Sequence, residues 1–123
     1  MRITSAAGTA KIALVKLRAS NGASIGRVQI DSSRRVTVRA DVPGTTLNLS
    51  TATTLTANTW YRLRFCASVA TAGSLRLEIN GAVVGSWNTN TGTSAFARVQ
   101  LGDNDPRTVT ANWDALVVTG TTV

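Results

Sequence analysis

Apolar and polar residues alternate along most of this chain, the period of a half-buried β-strand. Residues 24–31, SIGRVQID, set Gly26, Val28 and Ile30 on one face and Arg27, Gln29 and Asp31 on the other. Residues 34–40, RRVTVRA, repeat the pattern, with Val36, Val38 and Ala40 inward and Arg35, Thr37 and Arg39 outward. Residues 60–69 turn Tyr61, Leu63, Phe65, Ala67 and Val69 in, and Trp60, Arg62, Arg64, Cys66 and Ser68 out. Residues 74–80 do the same with Leu75, Leu77 and Ile79 against Arg76 and Glu78. AKIALVKLRA, residues 10–19, contains helix formers, but Gly8 precedes it and Ser-Asn-Gly follows it, so the pattern predicts a strand covered on both faces.

Turn chemistry divides these runs. Ser32-Ser33 is short enough for a hairpin, and Asp41-Val42-Pro43-Gly44 predicts a turn with Gly44 suited to positive φ. Asn80-Gly81 predicts a type I′ hairpin leading into AVVGSWN. Residues 45–57 are Thr-rich and predict short strands, and ARVQLGD and TANWDALVVTG are expected to close the chain as strands. Thr occupies 19 positions, which favours pleated surfaces over helix. Short strands with turns at regular spacing predict an all-β, antiparallel sandwich in one domain spanning residues 1–123.

Charge then narrows the partners. Lys+Arg number 13 against 6 Asp+Glu, a net charge of +7, and 11 of the 13 are Arg. Arg grips flat anions bidentately, so the balance favours polyanions: acidic glycans, nucleic acid or anionic surfaces. If the outward-facing strands are neighbours, Arg27, Arg35, Arg39, Arg62 and Arg64 form one basic stripe, interrupted by Asp31 and Glu78, which are able to pair across strands. Nucleic-acid binding wants aromatics interleaved with the cations. Aromatics make up 5% of the chain and only Trp60 shares the arginine face, which argues against that partner. No apolar run is long enough to span a membrane. The first residues show no apolar core closed by a cleavage site, so an export signal is expected outside this chain.

The order of features from Trp60 onward carries a resemblance. TWYRL opens a strand, a Gly-bearing turn follows, and a second strand ends in Asn80-Gly81; a Trp-bearing segment, VQLGDN and a closing NWDALVV come after it. GTAKIALVKLRASNGASIGRVQID matches a strand, Asn-Gly loop, strand opening. This order resembles the laminin-G-like, concanavalin A-like jelly-roll superfamily, nearest to modules of large secreted bacterial proteins. The resemblance implies a jelly-roll β-sandwich, an extracellular or cell-surface location and carbohydrate as the ligand class. Such domains carry further strands before the one at Lys11, so the chain is expected to be the C-terminal part of the usual domain. The missing strands would come from another segment or another chain, and homo-oligomerisation is expected through the open sheet edge.

The candidate chemistry is that of binding. Glucanases of that superfamily place catalytic carboxylates on one strand; here Glu78 is the sole glutamate and no carboxylate lies two or four residues from it. Glycoside hydrolysis needs a pair, and the chain has no histidine for acid–base work, so no catalytic residues are expected. Cys66 is alone and predicts a packing residue. Asp103, Asn104 and Asp105 make an oxygen-rich loop, a candidate calcium site of the kind the resemblance implies at the rim. Three side chains leave a calcium shell incomplete, so a turn with Asx hydrogen bonds is the simpler reading and no cofactor is expected. Trp87, Asn88 and Asn90 offer an aromatic platform and amides in one expected loop, the tools of sugar recognition, while Tyr61 and Trp113 are assigned to the core. Asn48-Leu49-Ser50 is a formal glycosylation sequon. The expected function is a non-catalytic carbohydrate-binding or adhesion module of a secreted protein, with acidic polysaccharide as candidate ligand. The alternatives are a ligand-free assembly module pairing through an exposed sheet edge, and a nonspecific polyanion binder.

Overall fold

The computed structural model describes residues 1–6, 11–42, 47–103 and 109–119. They form an all-β structure of three antiparallel sheets and contain no helix. The strands are β1 (Arg2–Ala6), β2 (Ile12–Ala19), β3 (Ser24–Ile30), β4 (Arg35–Ala40), β5 (Leu47–Thr54), β6 (Leu63–Ser68), β7 (Gly73–Ile79), β8 (Ala82–Thr89), β9 (Phe96–Leu101) and β10 (Val109–Asn112). One sheet has the order β5-β4-β3-β2-β9, a second β6-β7-β8, and β1 pairs with β10 in the third.

The alternation read from the sequence sets the core. Val28, Ile30, Val36 and Val38 of the five-stranded sheet bury in one cluster with Leu75, Leu77 and Ile79 of β7. Each such side chain contributes roughly 1.5–3 kcal/mol by leaving water. The two sheets thus stack in a sandwich-like manner, and they approach closely at Gly26. A Cβ there would lie 3.0 Å from Leu75 Cδ1 and 3.1 Å from the Arg39 carbonyl oxygen. β2 is buried on both faces almost throughout, as the run AKIALVKLRA predicts.

Hairpin chemistry follows the same logic. Asn80 and Gly81 both have positive φ, at 52° and 85°, the type I′ geometry that joins β7 to β8. The β3–β4 turn relies on a different device. Arg34, not a glycine, takes φ 63°, and Asp31 Oδ1 accepts hydrogen bonds from the Ser33 and Arg35 backbone N–H groups. The turn expected at Pro43-Gly44 lies outside the described residues.

Three elements depart from the sequence reading. Arg2–Ala6 is a strand that the pattern does not announce, since it carries only one strongly apolar residue, Ile3, and gains its partner from near the other end of the chain. Of residues 110–120, expected as the closing strand, only those up to Asn112 join β10, and residues 113–119 pair with none among the described residues. Trp87, expected in a loop, stands within β8 opposite Leu75. β1 also leans on the segment before β6. The Met1 ammonium donates to the Tyr61 carbonyl at 2.8 Å, the Tyr61 N–H donates to the Met1 carbonyl at 2.7 Å, and Arg2 bridges Trp60 antiparallel.

Candidate functional site

Register, not sequence proximity, assembles the site. Along the five-stranded sheet, Gln100 stands opposite Lys16, Lys16 opposite Arg27, and Arg27 opposite Arg39. The next row sets Arg18 opposite Arg98. These residues alternate with Val15, Leu17, Val28 and Val38, which face the core, so they share the outer face. Arg35 belongs to that face by its parity with Thr37 and Arg39.

The face holds two Arg–Arg pairs directly opposed across strands, a placement that costs stability unless the charges are offset. The two pairs are offset differently. Arg27 Nε lies 2.7 Å from Asp41 Oδ2 and Arg39 Nε 3.2 Å from Asp41 Oδ1, so one carboxylate serves two guanidiniums. Ser24 Oγ also donates to Asp41 Oδ2 at 2.6 Å, and the Asp41 side chain is 5% exposed. Lys16 Nζ meets Asp103 Oδ1 at 3.0 Å, an ion pair almost out of water. The second pair has no such partner among the described residues. Arg18 donates to Gln100 Oε1 at 2.8 Å and to the Gly22 carbonyl at 2.9 Å, both neutral groups. Arg98 is exposed and its guanidinium lies over Gly22.

Beside that second pair opens a notch of about 120 Å³ where the β2–β3 turn meets the β8–β9 loop. Its lining is mainly apolar, with Ala19 and Ile25 among it; Thr93 and Ser94 add hydroxyls, while the Asn21 amide donates to Ser94 and accepts from the Ala23 N–H, and the Ser24 hydroxyl is taken by Asp41. Thr91 anchors the loop: its hydroxyl donates to the Ser68 carbonyl at 2.6 Å and accepts from the Ala70 N–H at 2.9 Å.

The expected single stripe of five arginines is corrected by the topology. Arg27, Arg35 and Arg39 lie on the five-stranded sheet. Arg64 lies on the outer side of the three-stranded sheet, and Arg62 on the segment leading into it. Because the sheets pack face to face, the two sets look in opposite directions. Arg64 and Arg76 are offset by Glu78, at 3.3 Å and 3.5 Å, so Glu78 does pair across strands as its alternation suggests. Asp31 spends its carboxylate on its own turn instead.

Sequence reasoning missed Lys16, Arg18 and Arg98 as members of the face and Asp41 as its counter-ion. Lys16 and Arg18 sit in a run buried on both sides, which hides the parity of their charges, and Asp41 reads locally as a turn residue. That Lys16, Arg27 and Arg39 stand in one row across three strands becomes visible only once the strands are paired.

The remaining expected site residues are placed as follows. Trp87 is half-buried and packs against the main core, its ring lying over Gly85 on the same strand face. Asn88 is exposed on β8, while Asn90 Oδ1 accepts from the Gly92 N–H in an Asx turn, so the three do not converge on one platform. Asp103 uses Oδ1 on Lys16 and Oδ2 on the Ala13 N–H at 3.1 Å. Asn104 and Asp105 lie outside the described residues, and among the described ones no group of three acidic, histidine or cysteine side chains gathers in metal-binding fashion. Cys66 is a free thiol, half-exposed on β6. No helix among the described residues is long and apolar enough to cross a membrane.

No family model, curated protein sequence or solved structure matches this chain.

Proposed function

We propose that the chain is a non-catalytic binding module of jelly-roll type that holds an acidic polysaccharide on the outer face of its five-stranded sheet, as part of a secreted or cell-surface protein. The observation that carries this reading is the Arg18–Arg98 pair: two guanidiniums directly opposed, with no carboxylate on either among the described residues. Like charges held together without an offsetting group favour an anion that bridges them, and guanidiniums take carboxylate or sulfate oxygens bidentately. The adjoining notch supports a sugar rather than a bare phosphate chain, because its mainly apolar lining suits the face of a sugar ring and Thr93 and Ser94 bring hydroxyls to it. Trp60, the one exposed aromatic among the described residues, lies under Arg2 at 5.2 Å on the segment beside β1, so stacking on nucleic-acid bases has no platform beside the arginines of the face.

The test is retention on immobilised glycans at low salt. The reading expects binding to uronate-bearing or sulfated chains, release by salt, and no retention on neutral glucans. Equal binding to neutral and acidic chains overturns it, and retention on single-stranded DNA with none on acidic glycan replaces the ligand.

A further inference from the structure

The turn between β2 and β3 joins the Arg18–Arg98 pair to the notch. Gly22 lies in that turn with φ 85°. Arg18 Nη1 donates to its carbonyl at 2.9 Å, and Arg98 Nη2 lies 3.9 Å from where a Cβ on Gly22 would stand. Asn21 and Ala23, the residues on either side of it, line the notch. A ligand that meets the two guanidiniums therefore reaches the notch across one residue of backbone.

The chain itself fixes both walls of the notch. On one side the Gly22 N–H donates to the Ala19 carbonyl at 2.9 Å and the Ser20 N–H to the Ala95 carbonyl at 2.8 Å, while Asn21 Nδ2 donates to Ser94 Oγ at 3.2 Å. On the other side Thr91 latches the β8–β9 loop onto the β6–β7 turn. Its side chain is fully buried, and its hydroxyl fills the space that a Cβ on Gly73 would need. The Thr91 N–H adds a bond to the Ala70 carbonyl at 3.0 Å. Gly92, with φ 86°, then brings the loop against Val42, whose Cγ2 would lie 3.6 Å from a Cβ at that position. Walls ordered in advance leave little entropy to be lost when a ligand group enters.

Size and polarity select the group that enters. Pockets that enclose a whole small molecule span about 300–1,000 Å³, whereas this notch holds about 120 Å³. It admits a substituent while the sugar ring rests over its mouth. Ala19 and Ile25, both buried, give it an apolar floor that refuses a carboxylate. Thr93 and Ser94 bring hydroxyls, and Ser94 Oγ, which accepts from Asn21, keeps its own proton to donate. A sugar hydroxyl would leave the apolar floor uncovered, and a plain alkyl group would leave the hydroxyls unused. An acylamino group answers both, with a methyl for the floor and an amide for Thr93 and Ser94.

We propose that the acidic glycan is N-acylated: its carboxylate or sulfate bridges Arg18 and Arg98, and an acetamido methyl of the same glycan enters the notch onto Ala19 and Ile25. The inference rests on the reading of the outer face as an anion site and adds the substituent that sets its specificity.

The test uses hyaluronan, in which uronates alternate with N-acetylated hexosamines, and the same polymer deacetylated and re-acylated with formyl groups. The two forms carry equal charge and differ by one methyl on each hexosamine. The wild-type chain should bind the acetyl form about four-fold tighter or more, the fold-change that one buried methyl supports. Ala23→Leu crowds the notch from an exposed position and should remove that preference. Equal affinity of the wild type for both forms, with binding still lost on Arg18→Gln with Arg98→Gln, overturns the inference and leaves the anion reading standing. A preference undiminished in Ala23→Leu overturns it too, because the methyl would then lie outside the notch. Absence of salt-dependent retention of either form overturns the anion reading and the inference together.

Discussion

Arg27 and Arg39 stand directly opposite one another on adjacent strands, and both guanidiniums close on the same carboxylate, Asp41. Asp41 follows directly on β4 and its side chain is almost out of water, so the triad sits at the border between fold and surface. The arrangement makes the outer face of the five-stranded sheet a place where positive charge is gathered and only partly neutralised. Asp41→Asn should therefore act in two directions. Folding stability should fall by about 2 kcal/mol, because two ion pairs are lost and a short hydroxyl bond is weakened at a buried carboxylate. Affinity for an acidic glycan should rise, since the face gains one uncompensated charge. Chemical denaturation and glycan retention on the same variant check both signs.

Lys16 and Asp103 form the most enclosed ion pair of the face, 8% exposed on each side chain. Asp103→Asn leaves the ammonium buried without its carboxylate and also weakens the bond to the Ala13 N–H. A loss of about 3 kcal/mol is expected from breaking such a pair on one side. Replacing both, Lys16→Met with Asp103→Asn, should recover part of that loss. A double variant less stable than Asp103→Asn alone would show that the pair is not the source of the cost.

Gly26 is the point where the two sheets nearly touch, with Leu75 and the Arg39 carbonyl oxygen at the distance limit for any added carbon. Gly26→Val should destabilise by roughly 1–3 kcal/mol through overpacking. Leu75→Ala in the same chain should relieve part of the clash although it is destabilising by itself. A thermal-melt cycle over the two single variants and the double measures that coupling directly.

Burial lowers the pKa of the Met1 ammonium below its ordinary value of 8.0, with Asp114 opposing the shift. An amine shifted down in the folded state binds fewer protons folded than unfolded between the two pKa values. Stability therefore rises with pH across that window and levels off above 8.0. Acetylation of the N-terminus removes the titrating group, and this rise should vanish from the denaturation midpoints of the acetylated chain. A rise of the same size in both forms would place its origin elsewhere.

Alternation made much of the fold legible. The inward residues of β3, β4 and β7 are those the period of two assigns, though Gln29 and Thr37, assigned outward, are buried as well, and Asn80-Gly81 marks its hairpin because only residues tolerant of positive φ fit there. What alternation cannot carry is which strands are neighbours. Arg27 and Arg64 look alike locally, yet one faces Arg39 and the other Glu78, because sheet membership is settled by contacts between distant parts of the chain. β2 hid two cations of the site for a related reason: a strand covered on both faces shows no parity. The closing NWDALVV reads as a strand because its residues favour one, yet only its Asn112 belongs to a ladder among the described residues.

The central claim is that anion binding belongs to the outer face of the five-stranded sheet and not to net charge alone. Two double variants separate these, each removing two positive charges from exposed or half-exposed positions. Arg18→Gln with Arg98→Gln empties the uncompensated pair, and Arg62→Gln with Arg76→Gln removes the same charge from the other side while leaving Arg64 on Glu78. The measurement is the salt concentration that elutes each protein from an immobilised sulfated glycan. The account predicts that the Arg18/Arg98 variant elutes at markedly lower salt, with a shallower salt dependence by analogy with charge-driven polyanion binding, while the Arg62/Arg76 variant elutes near the wild type. Equal loss in both variants would contradict it, and so would a larger loss in the Arg62/Arg76 variant.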